Sequence, residues 1–230
     1  MNNIDKQTIN KAIQISIPMI MGYFVLGFSY GVLMQQADLS IIWTFLMSSL
    51  VFAGALQYAA IPLLTSIFQP MVALTLALSI NIRHVFYGLS IYDKYKDNKK
   101  SLPLLLFTMA DEAFSINMSS SIHPPLSKRT FYLLTSLFGY VSWNVFSLLG
   151  HFFASSVQLS IKGIQFALPA LFFVMFLNMA NQKKHYFALL CGVIITVLSL
   201  VLVRSIWYVV VAMMFIVIIL LIHIKGATHD

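Results

Sequence analysis

The chain has 230 residues, 60% of them hydrophobic and 9% charged, with a mean hydropathy of +0.87. That balance excludes an ordinary soluble globular domain and puts the chain in the membrane class. The net charge of +7 does not signal nucleic acid, because Lys and Arg fall in short clusters between apolar runs, the pattern that orients membrane helices.

A spanning helix needs about 20 apolar residues, so the chain has room for about six to eight passes and no separate soluble domain. It reads as one membrane domain over 1–230. Lys6 and Lys11 precede the first apolar run, Ala12 to Gln36. The run is too long for a signal-peptide core and ends without a cleavage pattern, so it reads as a retained first helix. Gly27 and Gly31 give it a small-xxx-small spacing that lets another helix come close. Ile41–Tyr92 is too long for one span. Pro70 suits a first helical turn, which places a helix at Pro70–Ile91. Ile41–Phe68 is then a segment broken near Ala53-Gly54-Ala55-Leu56-Gln57, with Gly54 permitting the turn. Ser101–Ser121 reads as the next helix, with Ser101 as N-cap and Pro103 in the first turn. Pro124-Pro125 ends it. Ser127–Ala154 is a further span, and Lys162–Ala180 is a short apolar segment interrupted at Pro169. His185–Val203 and Ser205–Ile224 follow, joined tightly at Arg204. The one cysteine, Cys191, sits in an apolar run, permits no internal disulfide and is expected to be buried and inert.

Charge asymmetry decides the count. With all segments crossing, Lys94, Lys96, Lys99 and Lys100 fall opposite Lys6 and Lys11. With Ile41–Phe68 and Lys162–Ala180 re-entrant or broken, those lysines and Lys162, Lys183, Lys184 and Lys225 share one side, and Lys128, Arg129 and Arg204 lie on the other. The expected fold is therefore all-α and integral to the membrane. It has about six full spans plus two broken or re-entrant segments, with both termini cytoplasmic. Gly22-Tyr23 and Gly139-Tyr140 each open a span, and Phe52-Ala53 and Phe166-Ala167 each lie in an interrupted segment. This echo suggests halves 12–121 and 127–224. Three crossings per half would make them an inverted repeat, as in many secondary transporters.

Ionisable groups inside oily spans cost about 2.5–3.5 kcal/mol each on insertion scales, so they usually face a protein-lined cavity. Asn81, Arg83 and His84 sit near the middle of one span. Arg83 suits bidentate carboxylate binding or a structural pair with Asp111 or Glu112. His84 suits a proton relay or a structural role. Thr108, Asp111, Glu112, Ser115 and Ser119 read as one polar helical stripe facing the bundle interior, and the adjacent carboxylates are candidates for carrying a coupling proton. Ser136, Tyr140, Trp143, Asn144, Ser147 and His151 form a second stripe, with His151 expected at the interface. Gln57 can hydrogen-bond a solute through both ends of its amide, beside a half-helix start whose free N–H groups suit an anion. No HExxH, GxSxG, Walker or CxxC pattern is present. No enzyme, cofactor or metal site is expected.

Four stretches, in order, resemble one family. Phe52-Ala53-Gly54-Ala55-Leu56-Gln57 is similar to its (F/Y)AGAxQ signature, and Asn81-Ile82-Arg83-His84-Val85-Phe86-Tyr87-Gly88 to NxRHxxYG. Asp111-Glu112-Ala113-Phe114 is similar to DExF, and Gly163–Ala170 to GLDFALPA. With Gly22 to Gly31, the chain resembles the AzlC-type branched-chain amino acid permeases from Ile17 to at least Leu177. Gln165 stands where the last motif often carries an acid. The resemblance implies export of branched-chain amino acids and analogues across the cytoplasmic membrane, with a small AzlD-type membrane subunit as partner. The residues alone reach as far as a secondary transporter for a small zwitterion. Gly54, Gln57, Asn81, Arg83, Asp111 and Asn144 are the candidate substrate contacts, and Asp111, Glu112 and His84 the candidate proton carriers. The rival readings are a channel-like pore for a small polar solute and an assembly subunit for a transporting partner.

Overall fold

The computed structural model describes residues 3–96, 100–124, 126–157, 163–181, 186–204 and 207–227. Lys99, Pro125, Lys162, Lys183, Lys184, His185 and Ser205, and the side chains of Gln165 and Lys225, lie outside the described part. Among the described residues the regular structure is helical throughout: α1 (Asn3–Gln36), α2 (Ile41–Leu46) continuing into a π-turn (Met47–Val51), α3 (Gly54–Thr65), α4 (Pro70–Tyr95), α5 (Leu102–Phe107), α6 (Asp111–Ser119), α7 (Lys128–Val157), a 3-10 turn (Ile164–Phe166), α8 (Ala167–Ala180), α9 (Tyr186–Val203) and α10 (Tyr208–Ala227). Four of these helices are long and apolar enough to cross a bilayer: Lys6–Gln36 of α1, α4, α7 and α9. The chain is a multi-pass, all-α membrane protein. By contact it forms two compact units, Met1–Ile67 with Arg83–Ala167, and Phe68–Ile82 with Leu168–Asp230.

The first unit is organised around α1 and α7. The Ser127 N–H donates to Thr8 Oγ1 at 3.2 Å. Gly139 faces Met19 and Tyr23, Gly27 faces Trp143 and Phe146, and Gly31 faces Ser147 and His151. The two helices therefore lie side by side and run the same way. A Cβ at Gly31 would overlap the Ser147 carbonyl, and one at Gly150 would overlap the Phe28 carbonyl. The glycine spacing in α1 is thus a backbone-contact surface, and Gly150 completes it from the opposite helix.

The break expected near Gly54 is present, one step earlier than expected. Phe52, not Gly54, takes the left-handed conformation (φ 41°, ψ 46°), which for such a residue costs about 1–3 kcal/mol. Gly54 is required for room instead, since a Cβ there would stand 2.9 Å from Trp143 Cη2. Before the break, Thr44 meets His151, the Ser48 carbonyl meets Asn144 and the Ser49 carbonyl meets Tyr140, so α2 runs inward against the direction of α7. After it, Gln57 reaches back to Ser48 and Tyr58 bonds the Leu26 carbonyl at 2.7 Å. The segment is a hairpin.

Ser101–Ser121 is not one helix. It stops at Phe107 and restarts at Asp111. Thr108 Oγ1 turns back to the Leu104 carbonyl at 2.7 Å, a local bond that competes with helix continuation, while Asp111 and Glu112 favour a helix start. Ser101 makes no cap bond; its hydroxyl accepts from Arg129 Nε at 3.2 Å. Helix α6 then lies along the second half of α4 in the same direction. Arg83 meets Asp111 at its start, and Tyr87 stacks on Phe114 with centroids 4.4 Å apart. At its end, Lys94 Nζ donates to the carbonyls of Asn117 (3.0 Å), Ser120 (3.3 Å) and Met118. The expected crossing is a second hairpin, entered and left at one end of the unit.

That correction has two consequences. Helix α7 starts at the same end as α1, so this pair is parallel, not opposed as an inverted repeat requires. Lys128 and Arg129 also sit at the end that carries Thr8 and Ser101, not opposite Lys6 and Lys11 as expected. In the second unit, α9 and α10 pack together, linked through Arg204 with φ 44°. Pro169 does not interrupt α8. It lies in the first turn, where its missing N–H is tolerated. Cys191 is half-buried, not fully enclosed.

Substituting Gly31 by Val forces the α1 and α7 backbones apart, and overpacking of this kind costs about 1–3 kcal/mol. The expected result is a lower thermal midpoint of the detergent-solubilised protein, with no such drop for Gly22→Val, where a Cβ meets open space. In a Cys191→Ser background, Lys6→Cys, Lys100→Cys and Ser119→Cys should all react with a membrane-impermeant thiol reagent from one and the same side. Labelling of residues 100 and 119 from opposite sides would mean that 102–119 crosses.

Candidate functional site

Arg83 lies midway along α4, and its Nη1 stands 2.8 Å from Asp111 Oδ2. The two side chains are only 23% and 19% exposed, so this is not a surface pair. Asp111 and Glu112 form the first turn of α6, where acids are stabilised by about 0.3–1 kcal/mol each against the helix dipole. Glu112 accepts the Tyr23 hydroxyl of α1 at 2.7 Å. His84 sits edge-on to Tyr87 at 5.5 Å. The two carboxylates therefore have different partners, a guanidinium for one and a phenol for the other.

The tips of the two hairpins converge on α7. Phe52 from the first lies 5.0 Å from the Tyr140 ring, and Phe107 from the second lies 5.9 Å from it. Trp143, one turn on, lies edge-on to Tyr23 at 5.3 Å and stacks on Tyr30 at 6.2 Å. Its benzo edge covers Gly54. A continuous contact path thus joins Glu112 through Tyr23 and Trp143 to the start of α3.

That start has no side-chain cap at Ala53 and no acid in its first turn. Gln57 is fully buried. Its Nε2 points to Ser48 Oγ at 3.4 Å, and its Oε1 has no hydrogen-bond partner. Asn144 donates to the carbonyls of Ser48 (3.3 Å) and Tyr140 (2.8 Å), leaving its Oδ1 unbonded. Trp143 Nε1 and Ser147 Oγ are also buried without hydrogen bonds, which is uncommon for groups of this kind, while the Tyr30 hydroxyl lies against the Gln57 amide.

Of the residues singled out by sequence, Gln57 and Asn144 meet around Ser48 with Gly54 beside Trp143, Arg83, Asp111 and Glu112 gather at the start of α6 with His84 beside Tyr87, and Tyr23 links the two groups. Asn81 belongs to the second unit. The Thr108–Ser119 stripe does not hold: the helix breaks inside it, and Ser115 and Ser119 are exposed. The buried polar residue of α6 is Asn117, bonded to Tyr95 (2.7 Å), Ser136 (3.3 Å) and Thr135 (2.6 Å). His151 is buried, with Nδ1 2.9 Å from Thr44 Oγ1. Tyr23, Tyr30 and Lys94 carry the arrangement without having been marked in the sequence. Tyr23 lay in the Gly-Tyr echo, and the other two sat in unremarkable apolar or loop contexts.

Two hairpins whose tips both pack on Tyr140 of α7, with half-buried Arg83 and Asp111 paired at the inner end of one of them, define a polytopic membrane protein with ionisable groups inside its helices. The chain belongs to the AzlC protein family, which matches residues 18–157. It is 35% identical over 187 residues to the Bacillus subtilis branched-chain amino acid transport protein AzlC, covering 81% of this chain and 74% of the relative. An uncharacterized membrane protein of Haemophilus influenzae is 33% identical over 76% of this chain and 72% of its own length. The Escherichia coli inner membrane protein YgaZ is 23% identical over 74% of this chain and 72% of its own length. No solved structure matches the chain.

Removing one member of a buried ion pair strands the other charge, which costs up to about 3–5 kcal/mol; the residual exposure of this pair lowers that figure. Arg83→Ala should therefore lower the thermal midpoint more than the double variant Arg83→Ala with Asp111→Ala. A thermal-shift series on the solubilised protein reads this directly, and additive losses would place the two charges outside one another's reach.

Proposed function

We propose that the chain is the large subunit of a secondary transporter that exports branched-chain amino acids, driven by a proton gradient. Valine, leucine and isoleucine are the substrates. Methionine and similar analogues pass as well, because a methylene in an apolar pocket discriminates by only about 1–3 kcal/mol. The observation that carries this reading is the cluster of Arg83, Asp111 and Glu112 at the start of one broken helix, with the tip of a second broken helix packed on the same stretch of α7, an arrangement that suits a small zwitterion. The name of the Bacillus subtilis relative supports the substrate class.

In this reading Gly54, Gln57, Asn144 and Arg83 of the first unit face the solute. Asp111 or Glu112 holds its ammonium or exchanges the coupling proton, with His84 as a second carrier. Glu112 is the better placed of the two, since Asp111 is committed to Arg83 while Glu112 is held by the neutral phenol of Tyr23. The protein sits in the cytoplasmic membrane with both termini inside. Gathering Lys6, Lys100, Lys128 and Arg129 at one end favours that orientation. A small AzlD-type membrane subunit completes the transporter.

Valine counterflow in vesicles, with and without the small partner and across an imposed pH gradient, tests this. Saturable counterflow is expected, with a gradient response lost in Glu112→Gln. Non-saturable flux would favour a pore. Full gradient response in both Asp111→Asn and Glu112→Gln would rule out carboxylate coupling.

A further inference from the structure

Tyr23 stands between the carboxylates and the first hairpin. It lies midway along α1 and is buried. Its hydroxyl donates to Glu112 Oε2 at 2.7 Å. Its ring meets the Trp143 ring edge-on at 5.3 Å. Trp143 in turn covers Gly54 at the start of α3, where a Cβ would stand 2.9 Å from Cη2. Gly139 packs on the phenol, since a Cβ there would stand 3.4 Å from Tyr23 Cε2. The two Gly-Tyr pairs that echo one another in the sequence thus meet in space. The second tyrosine of the echo, Tyr140, donates to the Ser49 carbonyl at 2.9 Å and packs on Phe52. One tyrosine reaches a carboxylate, and the other holds the hairpin tip.

The bond to Glu112 depends on charge. A phenol that donates to a carboxylate makes a charge-assisted bond, about twice as strong as one between neutral groups. When the carboxylate takes up a proton that assistance is lost, and the carboxyl becomes a donor itself. The other ionisable groups around Glu112 are Asp111 on its own helix and Arg83 and Tyr87 on α4. Arg83 and Asp111 are engaged with each other, and Tyr87 stacks on Phe114. Tyr23 is the member of this group that also touches Trp143. We propose that Tyr23 is a positioning residue for the coupling carboxylate. It fixes Glu112 when the proton has left, lets go when the proton returns, and passes that change through Trp143 to the start of α3. This rests on the transporter reading, in which Glu112 exchanges the proton.

Trp143 supplies a readout that needs no transport. The chain has three tryptophans, and the other two, Trp43 and Trp207, are exposed. In a Trp43→Phe, Trp207→Phe background, the emission of the full-length solubilised protein comes from Trp143 alone. It should change in one step as pH is varied, and the step should vanish in Glu112→Gln, a variant that leaves Tyr23 untouched. Tyr23→Phe keeps the ring and removes the hydroxyl, and the step should lose most of its amplitude. In vesicles, the pH of half-maximal gradient response in valine counterflow should rise by about one unit in Tyr23→Phe. Removing a donor to the charged form strengthens proton binding by about ten-fold, the usual effect of a hydrogen bond to a charged group. A residue that only packs would lower the thermal midpoint and slow counterflow alike at every pH, with no shift of the profile. A flat Trp143 emission in the unaltered background, a step that survives Glu112→Gln, or a step and profile unmoved by Tyr23→Phe would overturn the role of Tyr23 and leave the transporter reading standing. If the Trp143 step behaves as expected while counterflow in the unaltered protein ignores the gradient, the coupling reading falls and the link from Glu112 through Tyr23 to Trp143 holds.

Discussion

Backbone N–H and C=O groups released inside a bilayer have no water to turn to, so a helix can stop there only where protein supplies the missing partners. The architecture of the first unit follows from meeting that demand twice. Around the first break, α7 does it from the side: Tyr140 and Asn144 take the Ser49 and Ser48 carbonyls of the π-turn. Around the second hairpin, Lys94 reaches across from α4 to gather the last carbonyls of α6, and the acids at the other end answer its free N–H groups. Because α7 serves the broken strand of chain on one face, its other face must be held firmly, and the glycine contacts with α1 do that without intervening side chains.

The same hairpins set the topology. A segment that enters and leaves at one end of the unit adds no crossing, so α7 must begin where α1 began. The parallel pairing of α1 and α7, the nearness of Thr8 to Ser127 and of Ser101 to Arg129, and the gathering of basic residues at one end are then a single fact seen in three ways. The charge pattern becomes simpler than a count of apolar runs suggests, since Lys128 and Arg129 no longer stand apart from Lys6 and Lys100.

Much of this was legible from residue order, and the failures have physical causes. The membrane class, the break before Gly54, the close-packing glycines and the involvement of Arg83 with Asp111 all follow from local chemistry: oil, small residues, and charge that needs a partner in lipid. The second break was missed because Thr108, Asp111, Ser115 and Ser119 keep helical spacing on paper, and spacing does not reveal that the Thr108 hydroxyl turns back on its own helix. Phe52 was missed because a left-handed turn is read from glycine, and here packing against Tyr140 holds a phenylalanine in it. His151 looked interfacial by its place near a span's end; Thr44 comes from another element, and no periodicity within α7 could announce it. Tyr23 and Tyr30 resisted detection for the same reason, as aromatic residues on an apolar helix whose hydroxyls matter only through what lies opposite.

The contrast between the two helix starts has a consequence for how charge is distributed at the centre. At α6 the positive end of the dipole is already met by Asp111 and Glu112, and Asp111 in turn neutralises Arg83. Those groups come close to balancing among themselves, which is how several ionisable residues can sit at mid-membrane depth at tolerable cost. At α3 no such balance exists: the helix end has no side-chain cap and no acid in its first turn, and Trp143 covers it with the carbon edge of its ring.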